Sequence, residues 1–228
     1  MSTEVPAGYD FADGLPIDPI AAGSTVLVAG PALSPAQDLA RSMVAYGTDS
    51  GEGALFISTN MTCERLLATC RQSHPALDPA GMAVVDCSGQ NIGQSELDVA
   101  VKYVSTQSDL TGIGMKFSTL YESLYPGVTD GRVRTSLISL SSLSMYVDLR
   151  TLFQFAQTLT GRIDSAGGLG VFTIDPTTHD TKTVNTLHQA ADGLIEVRET
   201  EGEADGELRV RGLPDQPEGW QPFTLSES

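Results

Sequence analysis

Short apolar runs alternate along the chain with stretches in which apolar side chains recur every third or fourth position, and the alternation predicts most of its elements. Runs at 25–29, 54–58, 82–87, 135–140 and 169–174 read as strands. In the second of them Ala54, Leu55, Phe56 and Ile57 leave no polar face, as suits a parallel sheet covered on both sides. Helical spacing predicts helices over 35–46 (Leu39, Ala40, Met43), 62–72 (Leu66, Leu67, Cys70) and 95–108 (Leu97, Val101, Val104). A glycine-containing loop opening at Asp109 leads into a helix that carries Phe117, Leu120, Tyr121 and Leu124. One long helix is expected over 141–159, with Tyr146, Leu149, Leu152, Phe153, Ala156 and Leu159 as its stripe and Gly161 just past its end, and a short one over 180–190. Segments 192–198 and 207–211 alternate with period two around an acidic, glycine-bearing link, which predicts an antiparallel hairpin. The fold class expected is therefore α/β, three layers around a mostly parallel central sheet, closed by a C-terminal antiparallel hairpin. Residues 1–17, with Pro6, Gly8, Asp10, Asp13, Gly14 and Pro16, are expected to form a flexible arm, and 18–228 a single domain.

The first strand, a turn with Gly30 and Pro31, and a helix entered through Ser34 and Pro35 make the layout in which a phosphate-binding loop sits. Serine as N-cap and proline as first helical residue form a strong helix start. The loop chemistry itself is missing. A phosphate cradle of the form Gly-x-x-x-x-Gly-Lys-Ser/Thr needs glycines for close backbone approach, a lysine for phosphate charge and a hydroxyl for Mg²⁺. Counted from Gly30 through Pro31, Ala32, Leu33 and Ser34, those three positions hold Pro35, Ala36 and Gln37, and Asp38 adds negative charge just inside the helix.

Charge narrows the choice of partners. Asp and Glu total 29 against 13 Lys and Arg, giving a formal net charge of −16. Such a surface repels phosphate backbones and anionic lipid, and no basic cluster offsets it, so neither nucleic acid nor membrane is expected as a partner. Acid excess with only Lys102, Lys116 and Lys182 as lysines resembles the cytosolic proteins of salt-accumulating archaea. No basic-then-apolar leader opens the chain and no run reaches the ~20 apolar residues of a membrane helix, so a cytoplasmic location is expected. Cys63, Cys70 and Cys87 form no Cys-x-x-Cys pair and read as small buried hydrophobes, while His74, His179 and His188 lack metal-ligand spacing. His179-Asp180 reads as a loop-to-helix cap, the serines at 136, 139, 141, 142 and 144 as strand-end and cap residues, and Glu52 and Asp86 as solvated carboxylates near strand ends.

In order along the chain, Gly23-Ser-Thr-Val-Leu-Val-Ala-Gly30, Gly51-Glu-Gly-Ala-Leu-Phe-Ile-Ser58, Leu137-Ile-Ser-Leu-Ser-Ser-Leu-Ser-Met-Tyr146 and Ala191-Asp-Gly-Leu-Ile-Glu-Val-Arg198 resemble the RecA-type ATPase core, and within it the KaiC-like proteins of archaea. Arg209-Val-Arg-Gly-Leu-Pro214 and Gly219-Trp-Gln-Pro-Phe223 resemble the haloarchaeal members, so that the likeness runs over 18–223. The resemblance implies a site at Gly30, Pro31, Ala32, Leu33, Ser34, Pro35, Ala36 and Gln37 for ATP with Mg. It also places paired water-activating glutamates near Thr59, Asn60 and Met61, and a Mg²⁺-holding aspartate at Ile138 or Ser139. None of these side chains can do that chemistry, and phosphoryl transfer rests almost wholly on those electrostatic parts. The expectation is a pseudo-ATPase with no cofactor, acting in regulation or signalling through protein partners, as a homo-oligomer or with an active relative. The alternative is a weak nucleotide binder with an altered loop, in which Arg162 or Lys182 replaces the lysine.

Overall fold

The computed structural model describes residues 8–74, 77–90 and 97–225. Among the described residues nine strands form one sheet: β1 (Thr25–Ala29), β2 (Gly53–Ser58), β3 (Met82–Asp86), β4 (Ala100–Tyr103), β5 (Val133–Ile138), β6 (Leu169–Ile174), β7 (Gly193–Arg198), β8 (Gly206–Arg211) and β9 (Gln221–Phe223). Their spatial order is β4-β3-β2-β5-β6-β1-β7-β8-β9. From β4 to β7 every pairing is parallel, and β7-β8 and β8-β9 are antiparallel. The hairpin is thus present as expected, and 221–223 extends it by a third short strand.

Alternate residues of each central strand enter different cores, which is why these strands read as unbroken apolar runs. Val26, Val28, Phe56 and Val84 face α1 (Ala36–Ala45) and α2 (Cys63–Ser73). Leu27, Leu55, Ile57, Val85, Leu137 and Phe172 face α3 (Leu110–Leu124), α4 (Leu140–Ser144), α5 (Leu149–Ser165) and α6 (Thr181–His188). Leu39 and Met43 of α1 are fully buried against the first face. Each such side chain is worth about 1.5–3 kcal/mol of transfer free energy.

Several expected elements are corrected. The stretch 97–108 holds strand β4 instead of a helix: Ala100 to Tyr103 pair in register with Ala83 to Asp86 of β3. Ladder bonds to a neighbouring strand outweigh a helical spacing that β-branched Val101 and Val104 satisfy equally well. Residues 95 and 96 of that expected helix lie outside the described residues. Helix α3 begins at Leu110, so Gly112 and Gly114 are helical. Asp109 caps it by accepting from the Gly112 N–H at 2.8 Å, and a Cβ on Gly112 would lie 2.0 Å from the same carboxylate. The expected helix over 141–159 is two helices, because Asp148 accepts from the Thr151 N–H and hydroxyl and starts α5 anew. Tyr146 falls in the break and is exposed rather than in the stripe. Gly161 lies inside α5, whose true stop is Gly167 at φ 65°, with Gly167 and Gly168 donating to Asp164 and Ile163 carbonyls. Strand β5 starts at Val133, before the expected 135, because Arg134 is carried inside it.

The arm expected to be flexible is packed onto the core from Tyr9 onward. Tyr9 and Ile20 exchange backbone hydrogen bonds, the Tyr9 hydroxyl donates to Gly167 O at 2.9 Å, and Phe11, Leu15 and Ile17 are buried. Residues 1–7 of the arm lie outside the described residues. Beneath Tyr9, Glu52 accepts from Arg132 Nε at 2.6 Å and Arg134 Nε at 2.5 Å. The Arg132 guanidinium stacks on the Tyr9 ring at 4.0 Å. Glu52 precedes β2, so it sits at the amino edge of the sheet as a buried ion-pair partner, and the expectation of a solvated carboxylate at a strand's carboxyl end does not hold.

Candidate functional site

Ligands of open α/β sheets bind beyond the carboxyl ends of the strands, and there the structure gathers most of the residues singled out above. Gly30 follows β1 and donates to Ile174 O at the end of β6. The loop then closes on itself. The Ser34 N–H and hydroxyl both point back to Pro31 O, at 2.9 and 2.7 Å. Ser34 is therefore not the helix cap: the N-cap is Pro35, which has no side chain to accept a bond, and α1 begins at Ala36. Gly30 is needed for this closure, since a Cβ there would stand 2.6 Å from Ser34 Oγ and 2.7 Å from Ala36 Cβ.

An anion cradle requires backbone N–H groups aimed into the loop. Here Pro31 and Pro35 have none, and the N–H groups of Gly30, Ala32 and Ser34 are given to protein acceptors. The acceptor for Ala32, at 3.1 Å, is the carboxylate of Asp175 from the end of β6, whose other oxygen accepts from the N–H and hydroxyl of Thr177. A negative group of the chain itself is thereby held against the loop. Asp38 in the first turn of α1 pairs with Arg41. Leu33 projects from the loop tip, 91% exposed.

The positions that the resemblance aligned do converge. Gln37 Oε1 accepts from Asn60 Nδ2 at 3.2 Å, so two neutral carboxamides meet where the resemblance implies a hydroxyl and a glutamate. Thr59 Oγ1 donates to Ile138 O at 2.7 Å and accepts from the Ser139 N–H at 2.7 Å, across the cis Ile138–Ser139 peptide. Ser139 Oγ caps α4 by accepting from the Ser142 N–H. Of the two cations proposed to replace the lysine, Arg162 is not brought to the loop. Arg162 lies in the last turn of α5, whose chain continues into the start of β6, and it bonds Gly114 O and Ser118 Oγ. Lys182 lies in the first turn of α6, the helix capped by Asp180.

Asp86, expected to be solvated, is buried. Its two carboxylate oxygens accept from the Cys63 and Ser88 N–H groups at 2.8 Å each, tying the end of β3 to the start of α2. Cys63, Cys70 and Cys87 are buried as read from the sequence, and burial, above all, pushes their thiols up to about 12, 11 and 12. Nearby Asp86 adds to the rise at Cys63 and Cys87. Asp180 is the cap expected of the His179-Asp180 pair, and His179 Nε2 meets Ser141 Oγ at 2.9 Å. Among the described residues no group of three or more His, Cys, Asp or Glu is placed to hold a metal ion. Two residues that shape the site were missed. Asp175 follows the strand expected at 169–174 and has no role in the sequence reading, although an acid at the carboxyl edge beside Pro176 is a visible signal. Ser141, whose hydroxyl accepts from the Asp175 N–H at 2.9 Å, was lost among the other serines.

Beside the loop, past the ends of β2, β3 and β5, a cleft of about 440 Å³ opens. Thr59, Asn60, Arg65, Gln107, Ser142 and Tyr146 line it, together with Met145.

Among the described residues a nine-stranded, mostly parallel sheet with a C-terminal antiparallel hairpin and a strand-loop-helix at the carboxyl end of β1 gives the chain the RecA-like α/β fold that solved KaiC-like structures share. The chain is similar over 95% of its length, and over 92% of that chain, to a KaiC-like protein of the hyperthermophilic archaeon Pyrococcus horikoshii OT3, with 14% identity and a TM-score of 0.66. It is similar, too, to an uncharacterized protein of Pyrococcus horikoshii solved in complex with an unknown peptide, over 87% of this chain and 86% of that one, with 13% identity and a TM-score of 0.64. The chain belongs to a family of unknown function, DUF7504, whose profile matches residues 23–197. No curated protein matches it.

Proposed function

We propose that this chain is a non-catalytic RecA/KaiC-like domain, a pseudo-ATPase that acts in the cytoplasm of a haloarchaeal cell as a regulatory or signalling module by binding protein partners. The observation that carries the reading is the loop after β1: the N–H of Ala32 is spent on the Asp175 carboxylate, so the chain's own anion stands against the place where phosphate is held in active relatives. ATP with Mg does not fit these residues. Among the described residues the loop's own hydroxyl, that of Ser34, is given to Pro31 O, the Asp175 carboxylate is already engaged, and the Gln37–Asn60 pair supplies only neutral amides. Two further findings agree with the reading. One structural neighbour was solved with a peptide, and among the described residues no helix is long and apolar enough to cross a membrane. Assembly with further copies or with an active relative belongs to the same proposal.

Calorimetric titration of ATP and ADP into the protein in molar KCl with Mg²⁺, beside an Ala36→Lys variant, tests it. No heat from the wild-type protein up to millimolar nucleotide is the expected result. Micromolar binding by the wild-type protein overturns the proposal.

A further inference from the structure

The cleft of about 440 Å³ beside the loop falls in the size range of ligand sites, roughly 300–1,000 Å³. Its lining differs from the rest of the surface. In a chain with 29 acidic residues, no Asp or Glu lines it among the described residues, and Arg65 is its one charged side chain. The other polar groups are carboxamides and hydroxyls, among them those of Asn60, Gln90, Gln107, Ser88 and Ser142. Carboxamides donate and accept at once, which matches the paired N–H and C=O of an extended peptide backbone. At the rim stand Met145 and Tyr146, 80% and 51% exposed. The Asp148 cap that breaks α4 from α5 holds both outside any core. A thioether and a phenol side by side make an apolar anchor of the adaptable kind that recurs where proteins grip other chains.

We infer that this cleft binds an extended peptide segment of a partner protein in which one acidic side chain, read by Arg65, is followed by an apolar one seated against Met145 and Tyr146. Neutral hydrogen-bonding groups take the segment's backbone. Among the described residues Arg65 is the charged group of the lining and no carboxylate stands beside it, so an acidic side chain meets attraction there rather than the repulsion of this acidic surface. The inference rests on the interaction-module reading and names the chemistry of its partner.

The test is fluorescence anisotropy on the full chain in about 1 M KCl, where the Debye length of about 3 Å removes long-range repulsion by the net charge. Three pools of fluorescein-labelled, amidated heptapeptides serve as probes, with a fixed Asp-Leu, Asn-Leu or Lys-Leu pair amid randomised neutral residues. The Asp-Leu pool is expected to saturate, about two- to fivefold tighter than Asn-Leu, the size of an exposed ion pair. Lys-Leu is expected to be weakest. Arg65→Gln equalises Asp-Leu and Asn-Leu, Arg65→Lys restores the preference, and Tyr146→Ala weakens all three pools by about tenfold or more. Both positions are exposed, so circular dichroism of the variants should match the wild-type protein. No saturation by any pool below about 1 mM, a preference for Lys-Leu, or indifference to Tyr146→Ala overturns the inference. Peptide silence with ATP silence removes the cleft and leaves the non-catalytic reading standing. A micromolar ATP signal removes that reading whatever the peptides do.

Discussion

Replacing Glu52 by Gln should cost more stability than any other single change in the chain's polar interior. Glu52 is an anion shared by Arg132 and Arg134, and the Glu52 and Arg134 side chains are only 7% and 2% exposed. Removing its charge takes the carboxylate from beside both guanidiniums, and that of Arg134 lies where water barely reaches. The cost of stranding one partner of a buried pair is about 3–5 kcal/mol. Arg132 keeps its stack on Tyr9 and its bond to Gly8 O, and Arg134 keeps Met43 O at 2.8 Å, so the loss should lie within that range rather than above it. For a chain of this length that is a fall in melting temperature of roughly 6–20 °C. Arg134→Met should cost less, because Glu52 retains Arg132 as its counter-charge, and the double variant should be more stable than Glu52→Gln alone. Urea unfolding followed by circular dichroism at two KCl concentrations reads these differences, and the penalty should change little with salt because the pair is buried. A Glu52→Gln penalty below about 1 kcal/mol, or strict additivity of the two changes, would refute the account of the cluster.

Two other outcomes follow from the packing and from the thiols. A Cβ on Gly170 would lie 2.4 Å from Thr25 Oγ1 and 2.8 Å from its Cγ2 in the neighbouring strand, so Gly170→Ala should cost about 1–3 kcal/mol. Adding Thr25→Ala should recover most of it, since that hydroxyl has no partner among the described residues; a neutral Gly170→Ala would contradict the register of β1 and β6. The thiols of Cys63, Cys70 and Cys87 and the Tyr9 phenol are all pushed up by burial, to between about 11 and 12, whereas unfolded thiols ionise near about 8.5 and tyrosine near about 10. The unfolded chain therefore loses protons first as pH rises. The stabilisation is complete below about pH 8 and is lost progressively from about pH 9 towards 12. Urea midpoints at about pH 8 and pH 10.5 should show the fall, and a triple Cys→Ala variant should show less of it; equal slopes would sink the argument.

The sequence by itself determined most strands of the sheet's centre and the fold class, because a strand buried on both faces is mostly apolar and leaves a recognisable run. Strand β5 was placed two residues late because Arg134 interrupts its run. It also determined which phosphate-binding chemistry is missing, since Pro35, Ala36 and Gln37 are what they are in any fold. Caps read in advance where they were aspartates before a new hydrophobic stripe, as at Asp180, and misread where two starts competed, as at Asp148, which split an expected single helix. The edge strand β4 was hidden because its spacing served a helix as well as a ladder, and only the open side of β3 decided between them. Tyr9, Glu52 and the Arg132–Arg134 pair lie far apart in the chain, and no local pattern states that a carboxylate before β2 will neutralise two guanidiniums at the start of β5. Likewise, that Asp175 turns its carboxylate onto the loop after β1 depends on β6 lying beside β1, a pairing of residues nearly the whole domain apart. Local periodicity is set by neighbours three or four residues away, whereas charge compensation and the shape of a cleft are set by whatever the sheet order brings together.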